Sequence, residues 1–173
     1  GAFAALKSDG TVATWGDSSF GGNSSSVAAS LAPNSDTGVK VVTIYSTYQA
    51  FAALKSDGTV VTWGDSSWGG DSSSVAASLA PISATGVKVV AIYSGQRAFV
   101  ALKSDGTVVT WGDSAYGGNS SSVAASLAPN SDTGVKVVTI YSTLFAFAAL
   151  KSNGTVVIWG YSPWGGDSSS VAA

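Results

Sequence analysis

Hydrophobic and polar residues follow a pattern that returns every 48 residues along this chain. In the stretch 39–86, residues 39–46 are rich in β-branched and aromatic side chains and predict a first β-strand. Residues 50–55 predict a second, weaker strand, and residues 59–63 predict a third. Each repeat is therefore expected to hold at least a three-stranded antiparallel meander.

A tight turn is predicted between the second and third strands of each repeat. Asp57-Gly58 stands between them, and Asp-Gly favours a hairpin with a type I′ turn, in which both central residues have positive φ. The last copy has Asn153-Gly154 at the same place, and this pair meets the same requirement. The sequence thus predicts one such hairpin per repeat.

The segment that follows the third strand has a different character. After a glycine pair, Asp71 is expected to cap a short helix over residues 72–79, which Pro81 ends. The other copies place good capping residues at the same position: Asn23, Asn119 and Asp167. An irregular loop is the alternative, because three consecutive serines are poor helix formers.

Aromatic residues mark the repeat most clearly. Tryptophan and phenylalanine recur at intervals of 48 residues, at Trp15, Trp63, Trp111, Trp159, Phe3, Phe51, Phe99 and Phe147. Residues 1–48 and 97–144 differ at only six positions. We divide a single repeat domain, 1–173, into copies 1–48, 49–96, 97–144 and a partial copy, 145–173. Repeat units cover their hydrophobic surfaces against neighbours, so the four tryptophans are expected between the units.

A glycine follows each of these tryptophans, at Gly16, Gly64, Gly112 and Gly160. These glycines are expected to supply backbone freedom at the end of the third strand.

The composition narrows the classes of function. His, Cys and Met are absent, and all the acidic residues are Asp. Most zinc sites and most acid–base or nucleophilic arrangements are thereby excluded. We expect no enzymatic activity, no cofactor and no metal site. A calcium site is disfavoured because the Asp spacing matches no calcium loop and Tyr161 replaces the Asp in the last copy.

Charge and hydropathy restrict the partners. The net charge is -2 and no basic stripe is visible, which argues against a nucleic-acid partner. No apolar stretch reaches the roughly 18 residues that a membrane helix needs, so membrane insertion is not expected.

The stretch from Ala53 to Asp65 resembles the core signature of RCC1-like repeats. It reads Ala-Leu-Lys-Ser-Asp-Gly-Thr-Val-Val-Thr-Trp-Gly-Asp, and the upstream Val-Val-Thr-Ile strand and the Trp68-Gly69 pair also fit. This resemblance implies a mainly β fold in which each copy is an antiparallel blade of three or four strands in a β-propeller. RCC1-like propellers usually have seven blades, and this chain supplies fewer than four, so we expect a partial ring or an open arc. After the aromatic residue the chain carries Gly-Gly-Asp/Asn-Ser-Ser-Ser, where the family usually has Gly-Gln-Leu-Gly.

Positions that vary between otherwise similar copies are the candidate binding residues. One set changes identity but stays aromatic: Phe20, Trp68, Tyr116 and Trp164. The other is the turn before the second strand, which diverges most: Tyr48-Gln49, Gln96-Arg97 and Leu144-Phe145. The first set is either a second core layer or a row of aromatic anchors, since binding surfaces favour Trp and Tyr. The second set is either a tolerant surface turn or an edge that contacts a partner.

These observations, and the binding scaffold that the resemblance implies, favour a non-catalytic structural or protein-binding scaffold. Accessory subunits of a larger assembly belong to this class, and either a protein partner or self-association is expected. The alternative is a binder of glycans, small molecules or ice that uses repeated aromatic and Ser/Thr rows. That alternative requires the aromatic set to lie in line on a flat, exposed face.

Overall fold

A computed structural model describes residues 1–169, which form four consecutive antiparallel sheets that we call modules 1 to 4. Module 1 contains β1 (Ala2–Leu6) and β2 (Val12–Gly16), and module 2 contains β3 (Val41–Ser46), β4 (Ala50–Lys55) and β5 (Val60–Gly64). Module 3 contains β6 (Val89–Ser94), β7 (Ala98–Lys103) and β8 (Val108–Gly112), and module 4 contains β9 (Val137–Ser142), β10 (Ala146–Lys151) and β11 (Val156–Gly160). Within each sheet the strands pair in chain order, so the predicted mainly β fold and its meanders are confirmed.

The hairpins are present where they were predicted, but the turn type is different. In module 2 the N–H of Gly58 donates to the carbonyl of Lys55, and the N–H of Lys55 donates to the carbonyl of Thr59, both at 2.9 Å. Gly58 has a φ of +90°, and among residues 1–169 only glycines have positive φ. This is a type I turn followed by a left-handed glycine, the usual three-residue hairpin loop. The type I′ prediction is wrong because Asp57 keeps a negative φ while its Oδ1 accepts the N–H of Thr59 at 2.9 Å.

A bulge bends the first strand of each three-stranded module. The register between β3 and β4 shifts between Val41 and Thr43, which leaves Val42 outside the ladder and exposed. Val90 and Val138 hold the same bulged and exposed position in modules 3 and 4. These valines therefore contribute little to the core.

The hydrophobic core lies in the seams between modules. Side chains alternate along β4, so Phe51 and Ala53 pack toward module 1 while Ala52 and Leu54 pack toward module 3. In module 3, β7 is buried along its whole length for the same reason. A strand that is covered on both faces is apolar along its whole length and lacks the alternation of apolar and polar residues that marks a half-buried strand. For this reason the sequence predicted the second strand only weakly.

Each internal seam is closed by one tryptophan and one glycine. The indole Nε1 of Trp63 donates to the carbonyl of Gly21 at 3.0 Å, and Trp63 stacks on Phe51 with ring centroids 5.3 Å apart. The indole–carbonyl bond recurs in the next two seams at 3.1 Å, from Trp111 to Gly69 and from Trp159 to Gly117. The predicted burial of tryptophan between repeats is confirmed for Trp63, Trp111 and Trp159, which are at most 3 % exposed.

Trp15 departs from that prediction. Its side chain is 51 % exposed and that of its stacking partner Phe3 is 63 % exposed, because no other module among residues 1–169 packs against them. Burial of the tryptophan thus comes from the neighbouring repeat and not from its own sheet.

In modules 1 to 3 the segment predicted as a short helix is a pair of short helical turns, and the helix that Asp167 was expected to cap lies outside the described residues. In module 2 a 3-10 turn (Ser73–Val75) leads into α2 (Ala76–Leu79), and α1 (Ala28–Leu31) and α3 (Ala124–Leu127) are its counterparts. Asp71 Oδ1 accepts the N–H of Ser73 at 2.8 Å, as expected of a capping residue. The predicted continuous helix over 72–79 is replaced by these two turns, since serines are poor in helix interiors. Leu79 at its end is buried in the seam.

Lysines tie these turns to the next module. Lys103 on β7 is buried, and its Nζ donates to the carbonyls of Ser78 at 2.9 Å and Ala80 at 3.4 Å. A cation at the end of a helical turn satisfies carbonyls that have no partner within the turn. Lys55 and Lys151 make the equivalent bonds in the other seams.

Acid should weaken the cap at Asp71. The hydrogen bond from the Ser73 backbone, followed by that from its hydroxyl, lowers the pKa of the Asp71 carboxyl below its ordinary value of 3.8. A lowered folded-state pKa contributes stability that is present above the unfolded value and is lost as pH falls through the folded one. We expect Asp71→Asn to lose less stability than the natural chain between about pH 5 and pH 3 in urea titrations. Asparagine is a matched replacement, since Asn23 and Asn119 make the same bond at 2.9 Å. Equal acid sensitivity of the two proteins would contradict this expectation.

Candidate binding surface

Two kinds of variable segment lie at one end of modules 2 to 4. The first is the turn between the first and second strands, and the second is the 3-10 turn after the third strand, such as Ser66–Trp68 in module 2. The hydroxyl of Thr47 donates to the carbonyl of Trp68 at 2.9 Å and holds the two segments together. The two candidate sets identified in the sequence therefore belong to one surface.

Hydrogen bonds between modules join the first-to-second-strand turns into a chain. The N–H of Tyr48 donates to the carbonyl of Gln96 at 2.9 Å, and the N–H of Gln96 donates to the carbonyl of Leu144 at 2.7 Å. These backbone bonds fix the relative positions of three turns from three repeats. A depression of about 460 Å³ lies among them, lined by residues 46–48, 94–96 and 142–144.

The 3-10 turn positions its aromatic residue through local backbone chemistry. Asp65 Oδ1 accepts the N–H of Ser67 at 2.8 Å, and Gly69 ends the turn in the left-handed conformation at φ +94°. Trp68 is the residue between them, so the sequence Asp-Ser-Ser-aromatic-Gly holds it in one orientation.

Side chains from modules 2, 3 and 4 interleave into a row that we call the aromatic ladder: Trp68, Arg97, Tyr116, Phe145 and Trp164. The Arg97 guanidinium carbon lies 4.2 Å from the centroid of the Trp68 ring and 4.7 Å from that of Tyr116. Phe145 follows, 5.5 Å from the Tyr116 centroid and 5.3 Å from the Trp164 centroid. Arg97 and Phe145, which directly precede β7 and β10, thus each insert between the aromatic residues of two consecutive modules.

Arg97 is the charged member of the ladder. Sandwiched between two rings, its guanidinium gains about 1 kcal/mol per cation–π contact. Its Nη1 also donates to Asp113 Oδ2 at 3.4 Å, a long, partly exposed ion pair of small energetic value. The Nε of Arg97 is buried and has no hydrogen-bond partner among the described residues. Stacking, more than ion pairing, therefore holds this side chain.

The outer rim of the surface is apolar and open to solvent. Tyr48, Leu144 and Trp164 are 67 %, 62 % and 63 % exposed. Tyr48 leans on Trp68 with centroids 5.6 Å apart, which connects the rim to the ladder. Large apolar side chains that stay exposed beside a rigid surface are typical of an interaction site.

The predicted site residues divide into four groups. Trp68, Tyr116, Arg97, Phe145 and Trp164 form the ladder itself. Of the rest, Tyr48 and Leu144 form the rim, Gln96 joins the turns through its backbone, and Phe20 is half-buried and makes no aromatic contact with any other residue in 1–169.

Tyr161 is a member of the surface that we did not predict as a binding residue. Its ring centroid lies 5.3 Å from that of Tyr116. The signal was present in the sequence, because the other copies have Asp at this position. An aromatic residue in place of a capping Asp points to a contact specific to one repeat.

Neither a metal site nor a membrane-spanning helix is found in the described part of the chain. Within residues 1–169, no three His, Cys, Asp or Glu side chains come together as a metal site would need. None of the helices there is long and apolar enough to cross a membrane. The arrangement is suited to contact through rings and backbone groups.

Comparison with known proteins identifies the repeat. The family model for the Regulator of chromosome condensation (RCC1) repeat matches residues 89–117, which run from β6 to the 3-10 turn of module 3. No curated protein matches the chain significantly in sequence. Residues 41–69 and 137–165 are the corresponding segments of modules 2 and 4.

Solved structures of propellers share the fold. Human WBSCR16 aligns with a TM-score of 0.58 and 22 % identity over 92 % of this chain and 45 % of its own. Prp20p from Saccharomyces cerevisiae aligns with a TM-score of 0.59 and 20 % identity over 92 % of this chain and 42 % of its own. Yeast RCC1 (Prp20) bound to Kap60 aligns with a TM-score of 0.57 and 19 % identity over 92 % of this chain and 41 % of its own. The chain therefore spans less than half the length of each of these proteins.

The repeated hairpin with its Trp-Gly end, the seams between modules and the family match on module 3 agree with one another. The modules are thus similar to RCC1 repeats: residues 89–117 match the family model, and the fold of the chain is that of the RCC1-like structures.

Proposed function

We propose that this chain is a non-catalytic protein-binding scaffold that contacts its partner through the aromatic ladder and its rim. The observation that carries the proposal is the exposure of Tyr48, Leu144 and Trp164 beside a row of interleaved aromatic side chains. Exposed aromatic anchors on a rigid base are the residues that dominate affinity in protein interfaces.

The rigidity of the base supports this proposal. The backbone bonds from Tyr48 to Gln96 and from Gln96 to Leu144 order the turns before any partner arrives. A preorganised surface loses little conformational entropy on binding, so more of the contact energy appears as affinity. Variation is concentrated in this surface while the seams repeat, as expected when a constant framework carries a specific site.

Protein binding is recorded for a structural relative. Prp20p has been described with its binding to Gsp1p and histones, and yeast RCC1 has been described bound to Kap60. These partners belong to those proteins, which are at most 20 % identical to this chain. They support the proposal that a fold of this kind can present a protein-binding face.

Glycan binding is less well supported by the geometry. A sugar-stacking platform needs open ring faces, and in the ladder Arg97 covers one face each of Trp68 and Tyr116. Phe145 contacts the next ring with an interplanar angle of 70°, so the row is not flat. We therefore favour a protein partner over the glycan, small-molecule or ice-surface alternative.

The test compares matched exposed positions. After affinity capture and identification of a partner, we expect Tyr48→Ala combined with Trp164→Ala to weaken its affinity at least about tenfold, since hot-spot aromatic residues are worth about 2 kcal/mol or more each. The matched control replaces Val42 and Val138, which are exposed but lie on the first strands, by alanine. Titration calorimetry measures both.

Two outcomes would contradict the proposal. An affinity that the aromatic variant leaves unchanged would show that the ladder is not the contact surface. A glycan that binds on an array and is lost in the same variant would favour the alternative function.

A further inference from the structure

Charged side chains are unevenly distributed between the two ends of the modules. We call the end that carries the aromatic ladder the ladder end, and the opposite end, where tight turns join the second and third strands, the hairpin end. Every lysine of the chain lies at the hairpin end, either directly before a first strand or at the end of the strand that leads into the hairpin. These lysines are Lys7, Lys40, Lys55, Lys88, Lys103, Lys136 and Lys151.

The ladder end is acidic. Three carboxylates directly follow a third strand or its counterpart β2, and two more follow a glycine pair: Asp17, Asp65, Asp113, Asp71 and Asp167. In module 2 the N–H of Gly70 donates to the carbonyl of Asp65 at 2.8 Å, so Asp71 stays at this end. Among residues 1–169, Arg97 is the only cationic side chain there. Five carboxylates and one guanidinium give the ladder end a side-chain charge of -4, and the other five carboxylates and seven lysines give the hairpin end +2.

The lysines do not neutralise the ladder end, because backbone carbonyls hold them at the hairpin end. The Nζ of Lys40 donates to the carbonyl of Ser8 at 3.3 Å, and two further lysines make the equivalent bonds between later modules at 3.2 Å. The single ion pair within residues 1–169 joins Arg97 and Asp113. The other four carboxylates of the ladder end therefore have no cationic partner in the described chain.

The same asymmetry is present in a module that has neighbours on both sides. Module 2 lies between modules 1 and 3, and it holds Asp65 and Asp71 at the ladder end. Its hairpin end holds Lys40, Lys55 and Asp57. The separation of charge is therefore a property of the repeat itself.

Arg97 shows how this surface holds a cation. Its guanidinium stacks between Trp68 and Tyr116 and donates to the carboxylate of Asp113. Rings and carboxylates together stabilise a guanidinium, since the ring faces attract its charge and the carboxylate accepts its hydrogen bonds. An arginine side chain is therefore a group that the ladder end accommodates.

Module 2 repeats this combination without a cation of its own. Asp65 occupies the place of Asp113, and Gln49 occupies the place of Arg97. The N–H of Asp65 donates to the carbonyl of Gln49 at 2.9 Å, and the residue before Gln49 is Tyr48, whose ring is exposed. An exposed ring and a carboxylate without a cationic partner are thus neighbours in the part of the chain that the structure describes.

We propose that the partner of the ladder end is a basic protein segment, whose arginine or lysine side chains contact the Tyr48 ring and the Asp65 carboxylate. This inference rests on the protein-binding function proposed above and names the chemistry of the partner. Opposite charges speed association and select among partners, while the aromatic rings supply most of the contact energy. An acidic segment is repelled by the carboxylates of the same surface.

Short peptides of equal length serve as probes of this chemistry. One alternates arginine with glycine, a second alternates glutamate with glycine, and a third alternates leucine with serine. Fluorescence anisotropy measures their Kd for the full chain at about 0.01 M and about 0.15 M salt, between which the Debye length falls from about 30 Å to about 8 Å. We expect the arginine peptide to bind at least about tenfold more tightly than the other two at low salt, and about fivefold more weakly at the higher salt.

Two matched variants locate the contact. Asp17→Asn combined with Asp65→Asn removes two charges from the ladder end, and Asp9→Asn combined with Asp57→Asn removes two from the hairpin end. Both bring the net charge from -2 to zero. Asparagine preserves the hydrogen bonds of such turns, as Asn153 does in the last hairpin at 3.1 Å. We expect the ladder-end variant to weaken binding of the arginine peptide about fivefold, and the hairpin-end variant to leave it within about twofold.

Two results would overturn the inference. One is an arginine peptide that binds no better than the leucine peptide at low salt. The other is equal weakening by the two charge variants, because the carboxylates of the ladder end would then have no special role. Circular dichroism melting curves verify that each variant is folded.

Tyr48→Ala separates this inference from the proposed function. If the leucine peptide binds best and Tyr48→Ala weakens it, the ladder end is a protein-binding surface but its partner is not basic. If neither Tyr48→Ala nor the ladder-end charge variant changes the binding of any peptide, the proposed function and the basic partner are both wrong.

Discussion

Replacing Trp111 by alanine should lower the free energy of unfolding by about 3–5 kcal/mol, the usual cost of deleting a fully buried large aromatic side chain. Trp111 is 2 % exposed, stacks on Phe99 and donates its indole N–H to Gly69 at 3.1 Å. The substitution removes the packing of a whole seam and leaves a carbonyl without its donor. Urea denaturation followed by far-UV circular dichroism measures the loss without depending on tryptophan fluorescence.

Trp15→Ala is the matched control, because it is the same residue at the same position of the first repeat. Trp15 is half exposed and no module within residues 1–169 covers it, so the substitution loses mainly the stacking on Phe3, worth about 1 kcal/mol. Equal losses at positions 15 and 111 would mean that the seam between modules contributes little to stability.

Gly69→Ala should be the second most destabilising change, at about 2–5 kcal/mol. Gly69 has a φ of +94°, where a side chain is strained, and a Cβ there would stand 2.6 Å from Cδ2 of Phe99. The Phe99 ring is fully buried and stacked on Trp111, so it cannot move aside without opening the seam. The added methyl group would therefore push apart the two modules that meet in this seam.

Gly165→Ala separates the two causes. Gly165 has nearly the same φ, +95°, but no atom of the described chain lies within 4 Å of the added methyl. We expect it to cost only the backbone strain, about 1–2 kcal/mol. The difference between the two variants in thermal or urea unfolding measures the steric part. If both substitutions lower the free energy of unfolding by the same amount, the Phe99 contact does not constrain position 69.

The contacts within the aromatic ladder could not be predicted from the sequence. Both variable sets were identified as candidates, but nothing in the chain order indicates that Arg97 inserts between Trp68 and Tyr116. That contact depends on the rotation between modules 2 and 3, which a repeat length does not specify. Tyr161 was not predicted as a binding residue because the equivalent position in the first three copies is a capping Asp.

The sequence predicted the position of each hairpin turn but not its type. Asp-Gly predicts a tight turn, and the turn is present. Its type depends on whether Lys55 pairs with Thr59, as it does here, and this is a matter of strand register. Adding one residue to the loop lets Asp57 keep an ordinary φ while Gly58 alone takes the left-handed conformation.

The sequence by itself determined the local structure: the period of 48 residues, three strands per repeat, the hairpins and the capping residues of the short turns. These depend on contacts between residues close in the chain, which the pattern of side chains specifies directly. Only the tertiary structure decided which tryptophans are buried, since Trp15 and Trp111 have nearly the same local sequence but, among residues 1–169, only Trp111 is covered by another module. It also decided that two separate variable segments make one surface, because such long-range contacts are set by how modules stack and not by any single repeat.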